Sequence, residues 1–188
     1  IIVPTRDDVL FGLATFIDAY DVRTTYPLVL AMLDQGYHDS QWKLVSRILE
    51  SYLLRRAICG LTTKNYNRIF LTLARTLRRQ GMSPEDLSKH LGEQSGESGE
   101  WPSDQRFIES WHAQHAYQLL NNPKILHILS RLNDTYANSK MESIQIEGAL
   151  TVEHILPQVW VENWPLQDGT KGMTLHEIYV AEASSPRV

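Results

Sequence analysis

Disulfides have nothing to form from in this chain, because Cys59 is the single cysteine among 188 residues. An internal disulfide framework is excluded, and the cysteine usage fits a reducing cytoplasm. Cys59 lies among Ala57, Ile58 and Leu61, surroundings that suit a buried structural thiol better than a nucleophile. Long apolar runs are missing too. None approaches the roughly 18 to 20 residues needed to cross a bilayer, so no membrane partner is expected. The opening residues Ile1-Ile2-Val3-Pro4 have neither the basic flank nor the apolar core of a secretory leader. They also lack an initiator methionine, and the chain is expected to be a piece of a longer polypeptide. Nor is there a P-loop, a dinucleotide-binding glycine pattern, a nucleophile elbow or a paired-cysteine metal motif. Any chemistry must come from other patterns.

What is present is ordinary in bulk: 43% hydrophobic and 21% charged residues, as in a soluble globular protein. The length suits one sizeable core, or a helical domain with a small appendage. A net charge of −4 argues against a wholly basic nucleic-acid binder. The charge is unevenly spread, however. Between Ser51 and Pro84 stand Arg55, Arg56, Lys64, Arg68, Arg75, Arg78 and Arg79, with no Asp or Glu among them. Local fields, not net charge, steer a polyanion. The segment therefore reads in two ways. Arg55, Arg56, Lys64, Arg68, Arg75 and Arg79 contact nucleic acid, or they line solvated helix faces balanced by acids from elsewhere in the fold.

Periodicity makes most of the chain helical. Asp7-Asp8 suit a first turn before an apolar-rich stretch to Tyr20. Pro27 fits the first turn of a second helix that ends at Gly36. Ser40 can cap a third, whose apolar positions Val45, Ile48, Leu49, Tyr52 and Leu53 run on to Ile58 and Gly60. Arg56 falls on that same stripe, where a guanidinium needs a partner or a route to solvent. Tyr66, Ile69, Phe70, Leu73 and Leu77 form the next stripe, with Arg68, Arg75 and Arg79 on its other side. Ser83-Pro84-Glu85 is a helix start. Gly92 to Gly99, a polar run rich in Gly and Ser, is expected to be flexible. Trp101-Pro102-Ser103-Asp104 leads into a helix carrying Phe107, Ile108 and Trp111. Another follows Pro123, with Ile125, Ile128, Leu129, Leu132 and Tyr136 on one side.

The texture changes after Asn138. Ile144-Gln145-Ile146-Glu147 alternates like a short half-buried strand, and Leu150 to Ile155 reads as a second. The expected division is a helical domain over 1–138 and a small β-containing unit over 139–188. Within the latter, Glu153 and His154 sit side by side where a β-branched, apolar run stops at Pro157. Adjacent strand residues face opposite ways, so the pair serves one site only if the chain bends there. A neutral imidazole beside a carboxylate suits a general base, and a carboxylate oxygen suits magnesium or manganese. The plainer reading is a strand-end histidine packed beside proline. Of the other histidines, His112 and His115 can share a helix face, but two imidazoles with no third ligand make a poor zinc site.

The string Glu153-His154-Ile155-Leu156-Pro157-Gln158 resembles the Asp/Glu-His-Ile-x-Pro signature that opens the ββα-metal fold of HNH endonucleases. More narrowly, it is similar to the C-terminal domain of GmrSD-type, modification-dependent restriction endonucleases. Residues 51–60 and 62–70 resemble the helical region preceding that motif, and Trp101-Pro102-Ser103-Asp104 and Trp164-Pro165 fall in the same order. The resemblance runs from about Trp42 to Gly169. It implies a mainly α fold, a helical bundle with a short HNH-like beginning near the C-terminus. It further implies His154 as general base, Glu153 as a ligand of a divalent metal (Mg or Mn), and DNA, modified or not, as partner. An N-terminal nucleotide-binding domain outside this sequence, and a homo-oligomer, are compatible with it. The family's later Gly-Asn-Leu-Thr-Leu-like strand and asparagine-bearing helix have no counterpart here; after Gln158 the only asparagine is Asn163. A truncated fragment, inefficient at metal binding and cleavage by itself, is the resulting expectation. The alternative is a non-catalytic helical connector that couples a nucleotide-binding domain to a partner.

Overall fold

The computed structural model describes residues 9–114, 116–136, 150–153, 159–163 and 172. Among them every regular element is helical. The chain divides into two compact units, Ile1–Phe107 and Ile108–Val188. The division expected after 138 falls inside the second. No helix among the described residues is long and apolar enough to cross a membrane.

In the first unit, α1 (Val9–Tyr20) buries Leu13, Phe16, Ile17 and Tyr20, a 3.6-residue stripe. It ends at Asp21, whose φ of +51° is tolerated because Asp is among the few non-glycine residues that visit the left-handed region. A short 3-10 turn, Arg23–Thr25, leads into α2 (Tyr26–Asp34), with Pro27 in the first turn as the sequence predicts. Helix α3 (Asp39–Ile58) begins earlier than expected. His38, not Ser40, is the N-cap residue: its N–H donates to Gln41 Oε1 at 3.0 Å, and Asp39 places a carboxylate at the positive end of the dipole. Helix α4 (Tyr66–Gln80) buries Tyr66, Ile69, Phe70, Leu73 and Leu77, the predicted stripe. It stops at Gly81, where a φ of +75° requires glycine. Helix α5 (Pro84–Gly92) starts with Ser83 accepting from Asp86 N–H while Asp86 Oδ2 accepts from Ser83 N–H, a reciprocal cap. Those hydrogen bonds hold the Asp86 carboxyl below its ordinary value. Helix α1 packs on α3, α2 on α4, and α3 on α5, around one core that runs from Leu13 to Leu91.

Aromatic rings fill the middle of that core. Phe70 is fully buried and meets Tyr52 and Tyr66 edge-on, with ring centroids 6.5 and 5.7 Å apart. Phe70→Ala removes a whole ring where neighbours cannot collapse inward, and about 3 to 5 kcal/mol of stability should go with it. Urea denaturation of the variant against the native chain measures the loss.

Helix α6 (Asp104–Ala113) contains the division between units. The second unit holds α7 (Ala116–Leu119), α8 (Asn122–Tyr136) and α9 (Trp160–Asn163). On α8 the expected apolar side is only partly covered among the described residues: Ile125 is buried, whereas Leu129, Leu132 and Tyr136 are exposed. The expected second strand is not found in its described part. Leu150 to Glu153 belong to no regular element, and Leu150, Thr151 and Glu153 are exposed. Alternation of apolar residues makes a strand only where a neighbouring strand takes up the backbone groups. The expected first strand, 144–147, lies outside the described residues.

His127 on α8 is half-buried, and burial lowers its pKa from 6.5 to about 4, helped by the nearby Arg131 and opposed by Asp134. The folded state thus holds the imidazole neutral while the unfolded chain protonates it near its ordinary value. Between about pH 6.5 and 4 the unfolded state binds more protons, so stability falls as pH drops through that window. His127→Gln should flatten this dependence in melts of the chain at pH 7 and pH 4.5.

Candidate functional site

Two adjacent arginines near the C-terminal end of α3 organise the path from α5 to α6. Arg56 is wholly excluded from solvent, its relative exposure 0%. Its Nε donates to Tyr66 Oη at 3.1 Å, Nη1 to the Glu100 carbonyl at 2.7 Å, and Nη2 to the carbonyls of Thr62 and Glu97 at 2.6 and 3.1 Å. Four of five guanidinium N–H groups are satisfied in this way. The ring faces of Tyr52 and Tyr66 flank the cation at 5.5 and 5.2 Å. Tyr52 adds a bond from its hydroxyl to the Gly99 carbonyl at 2.7 Å, and burial pushes its pKa up to about 12, keeping it a donor. Asn65 Nδ2 donates to Ser98 Oγ. The Gly/Ser-rich run is therefore no free linker. Four of the carbonyls and hydroxyls over 97–100 are held by Tyr52 and Arg56 of α3 and by Asn65, just ahead of α4.

Arg55 does the same for the next residues. Its Nη1 donates to the Pro102 carbonyl at 3.1 Å, Nη2 pairs with Asp104 at 2.5 Å, and its guanidinium lies 5.4 Å from the Phe107 ring centre. Cys59, half-buried, has its Sγ 3.9 Å from the Arg106 carbonyl. Nothing about it suggests nucleophilic chemistry.

The sequence-level basic set thus separates in two. Arg56 cannot present itself to a phosphate, because it has no exposure and its donors are committed. Arg55 is half-committed to Asp104. Lys64, Arg68, Arg75 and Arg79 are exposed, as is Arg78. On a 3.6-residue repeat, Arg68, Arg75 and Arg79 fall within about 40° of one another, opposite the buried stripe of α4. None of these exposed cations pairs with an acid among the described residues. What the sequence did not reveal was the partner set of Arg55 and Arg56. The only signal was a guanidinium on an apolar stripe, four residues beyond Tyr52.

In the second unit, Glu153 is exposed, with Thr151 Oγ1 3.5 Å from its Oε1. His154 lies outside the described residues, as does His115. Asn163 spends its side-chain amide on the Val159 carbonyl at 2.9 Å. Among the described residues no group of three or more His, Cys, Asp or Glu side chains could hold a metal. Glu153 alone supplies one suitable oxygen ligand, which is not a cage for Mg or Mn.

No characterised protein and no solved structure proved similar to the chain. A family model does match. Residues 101–182 correspond to the C-terminal domain of GmrSD restriction endonucleases. The match opens at Trp101, where the loop held by Arg56 passes into the segment held by Arg55, and it includes Glu153 and His154. The stretch 51–70 lies outside it. Over residues 101–182 the chain is thus similar to the C-terminal domain of GmrSD restriction endonucleases.

Proposed function

We propose that the chain belongs to a DNA endonuclease of the restriction type, in which His154 acts as general base in phosphodiester hydrolysis. One observation carries this reading: the family match spans the Glu153-His154-Ile155-Leu156-Pro157 string. His154 would take a proton from the attacking water at an imidazole nitrogen, raising the nucleophile's charge as the P–O bond forms. Glu153, exposed beside it, would be an oxygen ligand of a divalent cation. A bound Mg or Mn ion would neutralise charge developing on the phosphate oxygens. The described residues do not complete a site for it. The short HNH-like β-containing unit belongs to this reading.

The test is nicking of supercoiled plasmid by the native full-length protein and its His154→Ala variant. Loss of nicking in a folded variant supports the assignment, and equal nicking sinks it. A connector role gains from one observation: Arg55 and Arg56 are spent on the Glu97–Asp104 segment, not on an outside partner. The same assay decides between the two, since a connector has no nicking to lose.

A further inference from the structure

We propose that the outer face of α4 binds the sugar–phosphate backbone of nucleic acid, through Lys64, Arg68, Arg75 and Arg79, as a surface separate from the nuclease segment. The partner class rests on the nuclease reading above; the surface itself rests on α4. Three features of the helix lead there.

First, the charges are placed against the interest of the fold. Arg68 stands in the first turn of α4, and Lys64 just ahead of it, where the helix dipole is positive and cations are unfavourable. The first turn contains no acid to offset them. Arg75 and Arg79 are like charges at i,i+4, again unfavourable for the helix. Their location near the last turn recovers part of this for Arg79 only. A sequence that accepts such local conflict without a compensating contact marks a functional surface.

Second, the face carries only cations and small neutral polar residues. Thr72 lies among the arginines, and Asn67 and Arg78 flank them, all exposed. Protein interfaces are organised around a buried aromatic or aliphatic anchor, with charged residues depleted at the centre. This face offers no such anchor. Planar guanidinium groups instead match phosphate oxygens two at a time.

Third, the reach is right. From Arg68 to Arg79 the helix advances about 16 Å, the axial length of roughly five base pairs. The three arginines can then meet successive phosphates along a strand without reading bases. The chain's negative net charge does not oppose this, since the Ser51 to Pro84 segment carries no acid and sets the local field.

The experiment is fluorescence anisotropy of two unrelated 20-bp duplexes with the whole chain, between 50 and 300 mM salt. The triple variant Arg68→Glu, Arg75→Glu, Arg79→Glu is compared with the native chain, its fold checked by circular dichroism and melting. Each neutralised phosphate adds about 0.9 to the slope of log K on log salt. The native chain should bind both duplexes alike, and the variant should lose a slope of about 2 to 3 and at least tenfold in affinity at 100 mM salt. If the triple variant is misfolded, single Arg75→Gln should still lower the slope by about 1. Absent binding at 50 mM salt, or an unchanged slope in a folded variant, overturns the proposal. Preferential binding of polyglutamate over duplex does so as well, and makes the face an acidic-protein surface. Duplex binding without any nicking by the native full-length protein would remove the nuclease reading and leave the surface standing.

Discussion

Replacing Arg56 with methionine is expected to cost the first unit about 3 to 5 kcal/mol, the scale of breaking a buried charged network by removing one partner. The methionine chain fits the apolar stem but supplies no donor. Three part-buried carbonyls, those of Thr62, Glu97 and Glu100, and the buried Tyr66 hydroxyl would lose their partner. Each such group left unmet costs about 1 to 3 kcal/mol, less where local opening admits water. Against a total stability of about 5 to 15 kcal/mol, this is a large fraction. Arg56→Lys should recover little, because an ammonium has three donors on one atom and cannot reach four separate acceptors. Arg55 provides the contrast. Its partner Asp104 is 82% exposed, so Arg55→Lys should change stability by less than about 1 kcal/mol. Denaturation midpoints measure all three, and limited proteolysis should cut within 92–102 in the Arg56 variants first. A melting profile of Arg56→Met matching the native chain would show that the network does not hold the loop.

The second large effect concerns rate. If His154 is the general base, His154→Ala should lower plasmid nicking by about 100- to 10,000-fold, the usual range for a positioned proton acceptor. Stability should not follow, since the first unit contains its own core from Leu13 to Leu91. Added imidazole should restore part of the rate, which a purely structural histidine would not allow. Glu153→Gln should weaken dependence on divalent cation while leaving duplex affinity at the α4 face unaltered. A variant that nicks at the native rate removes the base assignment whatever the metal does.

Much of the first unit was legible in the chain because its information is local. The stripe Tyr66, Ile69, Phe70, Leu73 and Leu77 fixes which side of α4 goes inward, and so which side shows its arginines. Pro27, Ser83-Pro84 and Gly81 mark helix ends through φ preference and missing or supplied hydrogen bonds, all set within a few residues. The Ser40 cap was misplaced by proximity: His38 and Asp39 offer a competing start that periodicity does not distinguish.

The candidate nuclease site divides the same way. The adjacency of Glu153 and His154 is a property of the sequence, and so is the family to which residues 101–182 correspond. Whether the two side chains share one face is not, because that depends on backbone geometry and on neighbours far along the chain.

The helical character, the inward stripes, the single thiol and the basic segment free of acids are written locally in the chain. The fate of the two arginines at the end of α3 is settled by packing. Composition placed Gly92 to Gly99 as a flexible run, and its last three residues are pinned by donors 33 to 47 positions away. Side-chain polarity says that a guanidinium on an apolar stripe must find acceptors. Only the packing of α3, α4 and the loop says that those acceptors are backbone carbonyls, and carbonyls leave no mark in a sequence.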